Sequence, residues 1–119
     1  VTELYCINNL IKSLKDFPQS LNKLWVNNNN LTSLEYCPPN LTLLNCNDNP
    51  LTSLKGCPKL LDYLSCYGCP LENLEYLPKH ANVYCDQQNY AQIKQMQSVM
   101  NEHVSFKQFV RLNNKYGSK

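Results

Sequence analysis

A chain of 119 residues with 43% apolar and 17% charged side chains has the balance of one soluble domain with a modest core. Its net charge of +2 is too small to single out nucleic acid as a partner, and no apolar run approaches the roughly 18 residues that cross a bilayer. Seven cysteines, an odd number, without the basic-then-apolar start of a secretory signal, point to reduced thiols in a cytoplasmic or nuclear chain, not to a disulfide scaffold.

From its first residue the chain follows a period of twenty. The segments VTELYCINNLIKSLKDFPQS, LNKLWVNNNNLTSLEYCPPN, LTLLNCNDNPLTSLKGCPKL and LDYLSCYGCPLENLEYLPKH align without a gap, starting at Val1, Leu21, Leu41 and Leu61. Position 1 of the unit is Val1, Leu21, Leu41 and Leu61, and position 4 is Leu4, Leu24, Leu44 and Leu64. Position 6 holds Cys6, Val26, Cys46 and Cys66; position 11 holds Ile11, Leu31, Leu51 and Leu71; position 14 holds Leu14, Leu34, Leu54 and Leu74. Position 17 is Phe17, Cys37, Cys57 and Leu77, and position 18 is always proline. A column that stays apolar over four units is a column that faces a shared core.

The alternation around positions 3 to 7 is the signature of a short strand, with positions 4 and 6 inward and 3, 5 and 7 outward. Strands of successive turns then stack as a parallel sheet, and neighbouring turns bury one another's leucines. Proline at position 18 removes an N–H and fixes φ, so the return path is expected to be extended, polyproline-like or 3₁₀ instead of helical. Position 9 reads Asn9, Asn29, Asn49 and then Cys69. An amide that donates and accepts at the bend after the strand is suited to bonding the backbone of adjacent turns in an asparagine ladder.

A degenerate fifth unit, ANVYCDQQN, follows at residues 81–89. Beyond it the pattern changes. Tyr90, Ile93, Met96, Val99 and Met100 fall near helical spacing after Asn89, a suitable N-cap. A second short helix is expected after Ser105, with Phe106, Phe109, Val110 and Leu112 on its apolar face and Gly117 at its end. The expected organisation is therefore repeats over residues 1–86 and a helical cap of the same domain over 87–119, covering the last turn and its strand edge. Residues 87–119 carry Lys94, Lys107, Arg111, Lys115 and Lys119 against Glu102, a basic segment that leaves a nucleic-acid or membrane helix as a lesser alternative to capping. The first residue is already position 1 of a unit, so the N-terminal end is expected either to follow lost residues or to be covered by another chain.

On these columns the sequence resembles the leucine-rich repeat family, whose L-x-x-L-x-L-x-x-N/C-x-L pattern all four units meet. The late proline and short unit look most like the twenty-residue subclass of bacterial effectors, and comparable Cys-containing units occur in amoebal and giant-virus proteins. The resemblance implies an α/β fold: a right-handed solenoid with a short-stranded parallel sheet on its concave face. It implies a protein–protein interaction module, located in the cytoplasm, in a host cytosol for an effector or viral protein, or in a virion. Effectors of this kind often carry a downstream ubiquitin-ligase domain with a catalytic Cys. The residues after these repeats lack that Cys, so substrate recognition without ligation is the matching alternative. A further alternative is a structural subunit of a larger assembly, held through its N-terminal end or flanks.

The outward positions supply the candidate binding residues: Tyr5, Trp25, Asn45 and Tyr84 with Ser65 at position 5, Lys23, Leu43 and Tyr63 with Glu3 at position 3, and Tyr67 at position 7 with Ile7, Asn27 and Asn47. Tyr and Trp are favoured at protein interfaces because they bury large area at little rotamer cost and keep a polar tip. The alternative for the same rings is packing between neighbouring strands. Catalytic signals are poor: His80 and His103 are the two histidines, and no metalloprotease, nucleophile-elbow or phosphate-loop motif occurs. Cys85 with His103 is the one conceivable nucleophile and base, but Cys85 falls in an inward column. Cys66-Tyr67-Gly68-Cys69 has the spacing of a zinc or redox pair, yet zinc needs two further ligands and no second such pair exists. The expectation is a protein partner, no enzyme, no metal, no cofactor and no membrane.

Overall fold

The computed structural model describes residues 2–78 and 80–86, and the backbone of 107–111. The chain coils into a parallel β-solenoid of about four turns, each contributing one strand to a single sheet. The strands are β1 (Glu3–Tyr5), β2 (Lys23–Trp25), β3 (Leu43–Asn45), β4 (Tyr63–Ser65), β5 (Asn82–Asp86) and β6 (Lys107–Arg111), hydrogen-bonded in that order. Register follows the repeat: Leu4, Leu24, Leu44 and Leu64 pair in succession. At β5 one residue has been dropped, so Leu64 pairs with Val83 and Ser65 with Tyr84.

The inward columns form one continuous core. Leu21, Leu24, Val26, Leu31, Leu34, Leu41, Leu44, Leu51 and Leu54 are fully buried, and Leu61, Leu64, Val83 and Cys85 continue the columns. A turn has no second layer of its own; its leucines are covered by the turns before and after it, which makes stacking the source of stability. At the β1 end Leu4, Cys6 and Ile11 are only partly buried, and Leu10 is 79% exposed.

The return path is built from turns. The position-17 N–H bonds the position-14 carbonyl in each unit (Phe17, Cys37, Cys57 and Leu77 to Leu14, Leu34, Leu54 and Leu74), at 2.9–3.2 Å. Ser13, Ser33, Ser53 and Asn73 each accept the N–H two residues later, which closes the turn with a side chain. The prolines at 38, 58 and 78 are buried beneath it, and a missing N–H at that place stops a helix from continuing.

The expected second helix is corrected over residues 107–111, which form strand β6, parallel to β5 from Asn82↔Lys107 to Asp86↔Arg111. An apolar run as short as Phe109-Val110 does not distinguish helix from strand by itself. The open edge of β5 decides it by offering unpaired backbone groups that a fifth ladder satisfies. Among the described residues there is no helix, so the α part of the expected α/β class is not found there. The expected helix from Asn89 to Met100, and Gly117, lie outside the described residues.

Candidate functional site

The outward face of the sheet collects the residues at positions 3, 5 and 7. Tyr5 and Trp25 are paired residues of β1 and β2, and their rings stack at 4.1 Å between centroids and 10° between planes. Tyr63 on β4 and Tyr84 on β5 sit one diagonal step apart, at 4.8 Å and 36°. Strand spacing of about 4.8 Å is what brings the rings of adjacent strands into contact. Tyr5 remains 60% exposed, while Trp25, Tyr63 and Tyr84 are half-buried.

Between the two aromatic pairs lie the short residues of the position-5 row, Asn45 and Ser65. Asn45 is half-buried. Ser65 is 2% exposed, shaded by its neighbours, with its hydroxyl donating to Asn47 Oδ1 at 2.8 Å. Leu43 lines the same gap at position 3, half-exposed. Lys23 pairs with Glu3 at 3.8 Å on β1 and β2, and hydroxyl Oη of Tyr5 donates to the same carboxylate. Tyr67 lies at position 7 beside Asn47, half-buried, with its N–H donating to Asn47 Oδ1 at 2.8 Å. All eight predicted residues therefore lie along one face; Ser65 and Asp86 are outward residues of that face that are buried.

The turn after each strand is held by a ladder. Asn29 Nδ2 donates to the carbonyls of Cys6 and Val26 at 2.7 and 2.9 Å, and Asn29 Oδ1 accepts the Ile11 N–H at 3.1 Å. Asn49 repeats this with Val26, Cys46 and the Leu31 N–H. Position 8 is left-handed in each turn, φ 61° at Asn8, 62° at Asn28, 57° at Asp48 and 74° at Gly68, a conformation Asn and Asp tolerate and Gly adopts freely.

Cys66 and Cys69 fill two phases of this scaffold. Cys66 is fully buried in the inward column, and Cys69 takes the ladder position, its thiol donating to the Cys46 carbonyl at 3.2 Å. A donor suffices there because Leu51 N–H is already bound to the Asn49 carbonyl at 2.8 Å across Pro50, a three-residue turn whose centre suits proline. Where Pro50 is replaced by Asn30 in the preceding turn, the equivalent Leu31 N–H needs the Asn49 oxygen. Among the described residues no group of three or more His, Cys, Asp or Glu is placed to hold a metal ion.

Five of the thiols, Cys37, Cys46, Cys57, Cys66 and Cys85, are made poor nucleophiles by their surroundings. Burial pushes Cys37 and Cys85 up to about 12, and holds Cys66 and Cys57 well above the usual range. The hydrogen bond with Cys69, and then burial, raise Cys46, while the same bond pulls Cys69 down. Cys85 points into the core, and His103 lies outside the described residues. His80 is an exposed residue at the rim of a cavity of about 370 Å³ on the return path that also touches Cys57, Tyr76 and Pro78, away from the sheet face.

Sequence reasoning missed a second side-chain link between turns: the Cys46 carbonyl is taken by Asn49 and by the Cys69 thiol, and the Tyr67 N–H goes to Asn47 Oδ1. The signal was visible as Asn27 and Asn47 in one column. Compared with known proteins, the chain matches no family model, no curated protein and no solved structure.

Proposed function

We propose that the chain is a leucine-rich repeat recognition module that binds a protein partner through its concave sheet face. The observation that carries this reading is the pair of aromatic contacts, Tyr5 on Trp25 and Tyr63 on Tyr84, partly exposed on one face and separated by the short Asn45. Rings in mutual contact are already rigid, so little side-chain entropy remains to be lost on binding. Aromatic rings with a polar tip suit a partner surface mixing apolar groups with hydrogen-bond acceptors. The test is recovery of a partner from extracts of the source by the immobilised chain, compared with W25A/Y63A and with the convex-face variant Y36A/Y76A. A protein retained by the convex variant and lost from the concave one supports the proposal; one retained by both removes it.

A further inference from the structure

The ladder changes its chemistry in the fourth turn, where position 9 is Cys69 instead of Asn. Each ladder residue reaches position 6 of the turn before it: Asn29 reaches Cys6, Asn49 reaches Val26, and Cys69 reaches Cys46. Among the described residues this is the one rung where a ladder thiol meets a thiol. Cys69 Sγ lies 3.2 Å from the Cys46 carbonyl oxygen, and the two thiols are themselves hydrogen-bonded. The Asn49 N–H also donates to the Cys69 sulfur. Two donors aimed at one sulfur stabilise its thiolate, in contrast to Cys37, Cys57, Cys66 and Cys85, which burial holds high. Cys46, Cys66 and Cys85 stand in one column along neighbouring parallel strands. Strand spacing of about 4.8 Å sets their Cβ atoms farther apart than the roughly 3.5–4.5 Å that a disulfide spans. Cys69 comes from a different column and converges on Cys46.

We propose that Cys46 and Cys69 are a peroxide-responsive pair that closes to a disulfide between the third and fourth turns. The Cys69 thiolate attacks one oxygen of hydrogen peroxide. The O–O bond breaks, a sulfenic acid forms on Cys69, and the departing hydroxide takes up the proton the thiol gave, leaving as water. The Cys46 sulfur, giving up its proton, then attacks the Cys69 sulfur. The S–S bond forms, the S–O bond breaks, and hydroxide leaves with that proton as a second water. Two thiols lose two electrons and two protons, and one peroxide becomes two waters. Size selects the oxidant. Cys69 is 1% and Cys46 0% exposed, yet Cys69 lies between the exposed Gly68 and Pro70. Opening of that one bend admits a peroxide, whereas a disulfide reagent needs room for a whole leaving thiol. The bridge joins residues 23 apart in sequence and replaces a weak thiol bond with a covalent tie, at the place where Asn49 ties the preceding turns by hydrogen bonds.

The test is oxidation of the folded 119-residue chain by a slight excess of hydrogen peroxide, in the chain itself and in C46A, C66A and C69N. Intact mass and thiol count are read after alkylation, with chymotryptic mapping to separate Cys66 from Cys69 at Tyr67. C69N puts the ladder amide of the other turns at this place, so its result does not depend on a packing defect. The chain and C66A should lose two thiols and two hydrogens in mass, recover both with dithiothreitol, and yield the Cys46–Cys69 bridge. C46A should form no bridge and carry a dimedone-trapped sulfenic acid on Cys69, while C69N should lose thiols about tenfold or more slowly than the chain. An undiminished two-thiol loss in C69N, a bridge mapped to another pair in the chain, or a chain inert to peroxide overturns the proposal. No partner is needed, so either outcome leaves the concave-face reading to its own test.

Discussion

Asn49 Nδ2 donates to the carbonyl oxygen of Val26, one turn back, at 3.0 Å, and the same amide holds Cys46 of its own turn at 3.1 Å. One 2% exposed side chain thereby ties two turns together while its oxygen takes the Leu31 N–H. Asn49→Ala leaves the buried Leu31 N–H unpaired and takes one of two donors from each of the Val26 and Cys46 carbonyls, and should cost roughly 2 kcal/mol or more. Cys69→Ala, which removes one weak thiol bond at the same place in the next turn, should cost about 1 kcal/mol. Urea unfolding of the two variants checks the order as well as the size; equal losses would mean that the ladder oxygen contributes nothing.

The Tyr5 and Trp25 rings give a second measurable contact, because Trp25 is the single tryptophan of the chain. Tyr5→Ala uncovers one face of the indole. Its fluorescence should shift to the red, and stability should drop by about 0.5–1.5 kcal/mol, the usual worth of an aromatic pair. An unshifted emission spectrum would show that the stack does not persist in solution.

Columns that repeat every twenty residues were legible from sequence because each inward position must be apolar in every turn, and Leu24, Leu44 and Leu64 are apolar and buried. The outward phase of Trp25 followed from the same parity. Proximity between turns was not legible to that depth. Nothing in the one-dimensional pattern says that Asn45 Oδ1 takes the Asn47 N–H while Asn27 Oδ1 is buried without a partner, since both outcomes depend on side-chain positions on adjacent strands. Ser65 reads as outward and is buried because its larger neighbours shade it. β6 was missed for another reason: Lys107 pairs with Asn82 twenty-five residues away, so the strand is out of phase with the repeat and only the open β5 edge reveals it.

Gly56 and Tyr36 occupy the same position in the return paths of successive turns, both with positive φ, 92° and 68°. A Cβ on Gly56 would stand 2.7 Å from the Leu34 carbonyl oxygen of the neighbouring turn, so backbone would have to move. Gly56→Ala should destabilise by about 1–3 kcal/mol through strain and contact together. The opposite change, Tyr36→Gly, relieves a left-handed tyrosine that is 54% exposed and packs little, and should add up to about 1 kcal/mol. Thermal melts of the two variants moving in opposite directions support this assignment, and a Tyr36→Gly loss of stability would refute it.

Alkaline pH should expose the buried thiols thermodynamically. Cys37 moves from 9.0 in the open chain to about 12 in the folded one, by burial, and Cys46, Cys57, Cys66 and Cys85 move in the same direction. A raised folded value means that between these limits the unfolded chain has lost protons that the folded chain retains. The derivative of unfolding free energy with pH is then negative. Stability from these groups is complete below about pH 8 and declines as pH climbs from about 9 toward 12, by up to about 1.4 kcal/mol per unit for each thiol. Other groups titrate in that range, so the difference between the chain and Cys37→Ala isolates one thiol. The variant should start less stable at pH 7 and lose stability more slowly above pH 9, the two curves converging; parallel curves would mean that Cys37 ionises alike in both states.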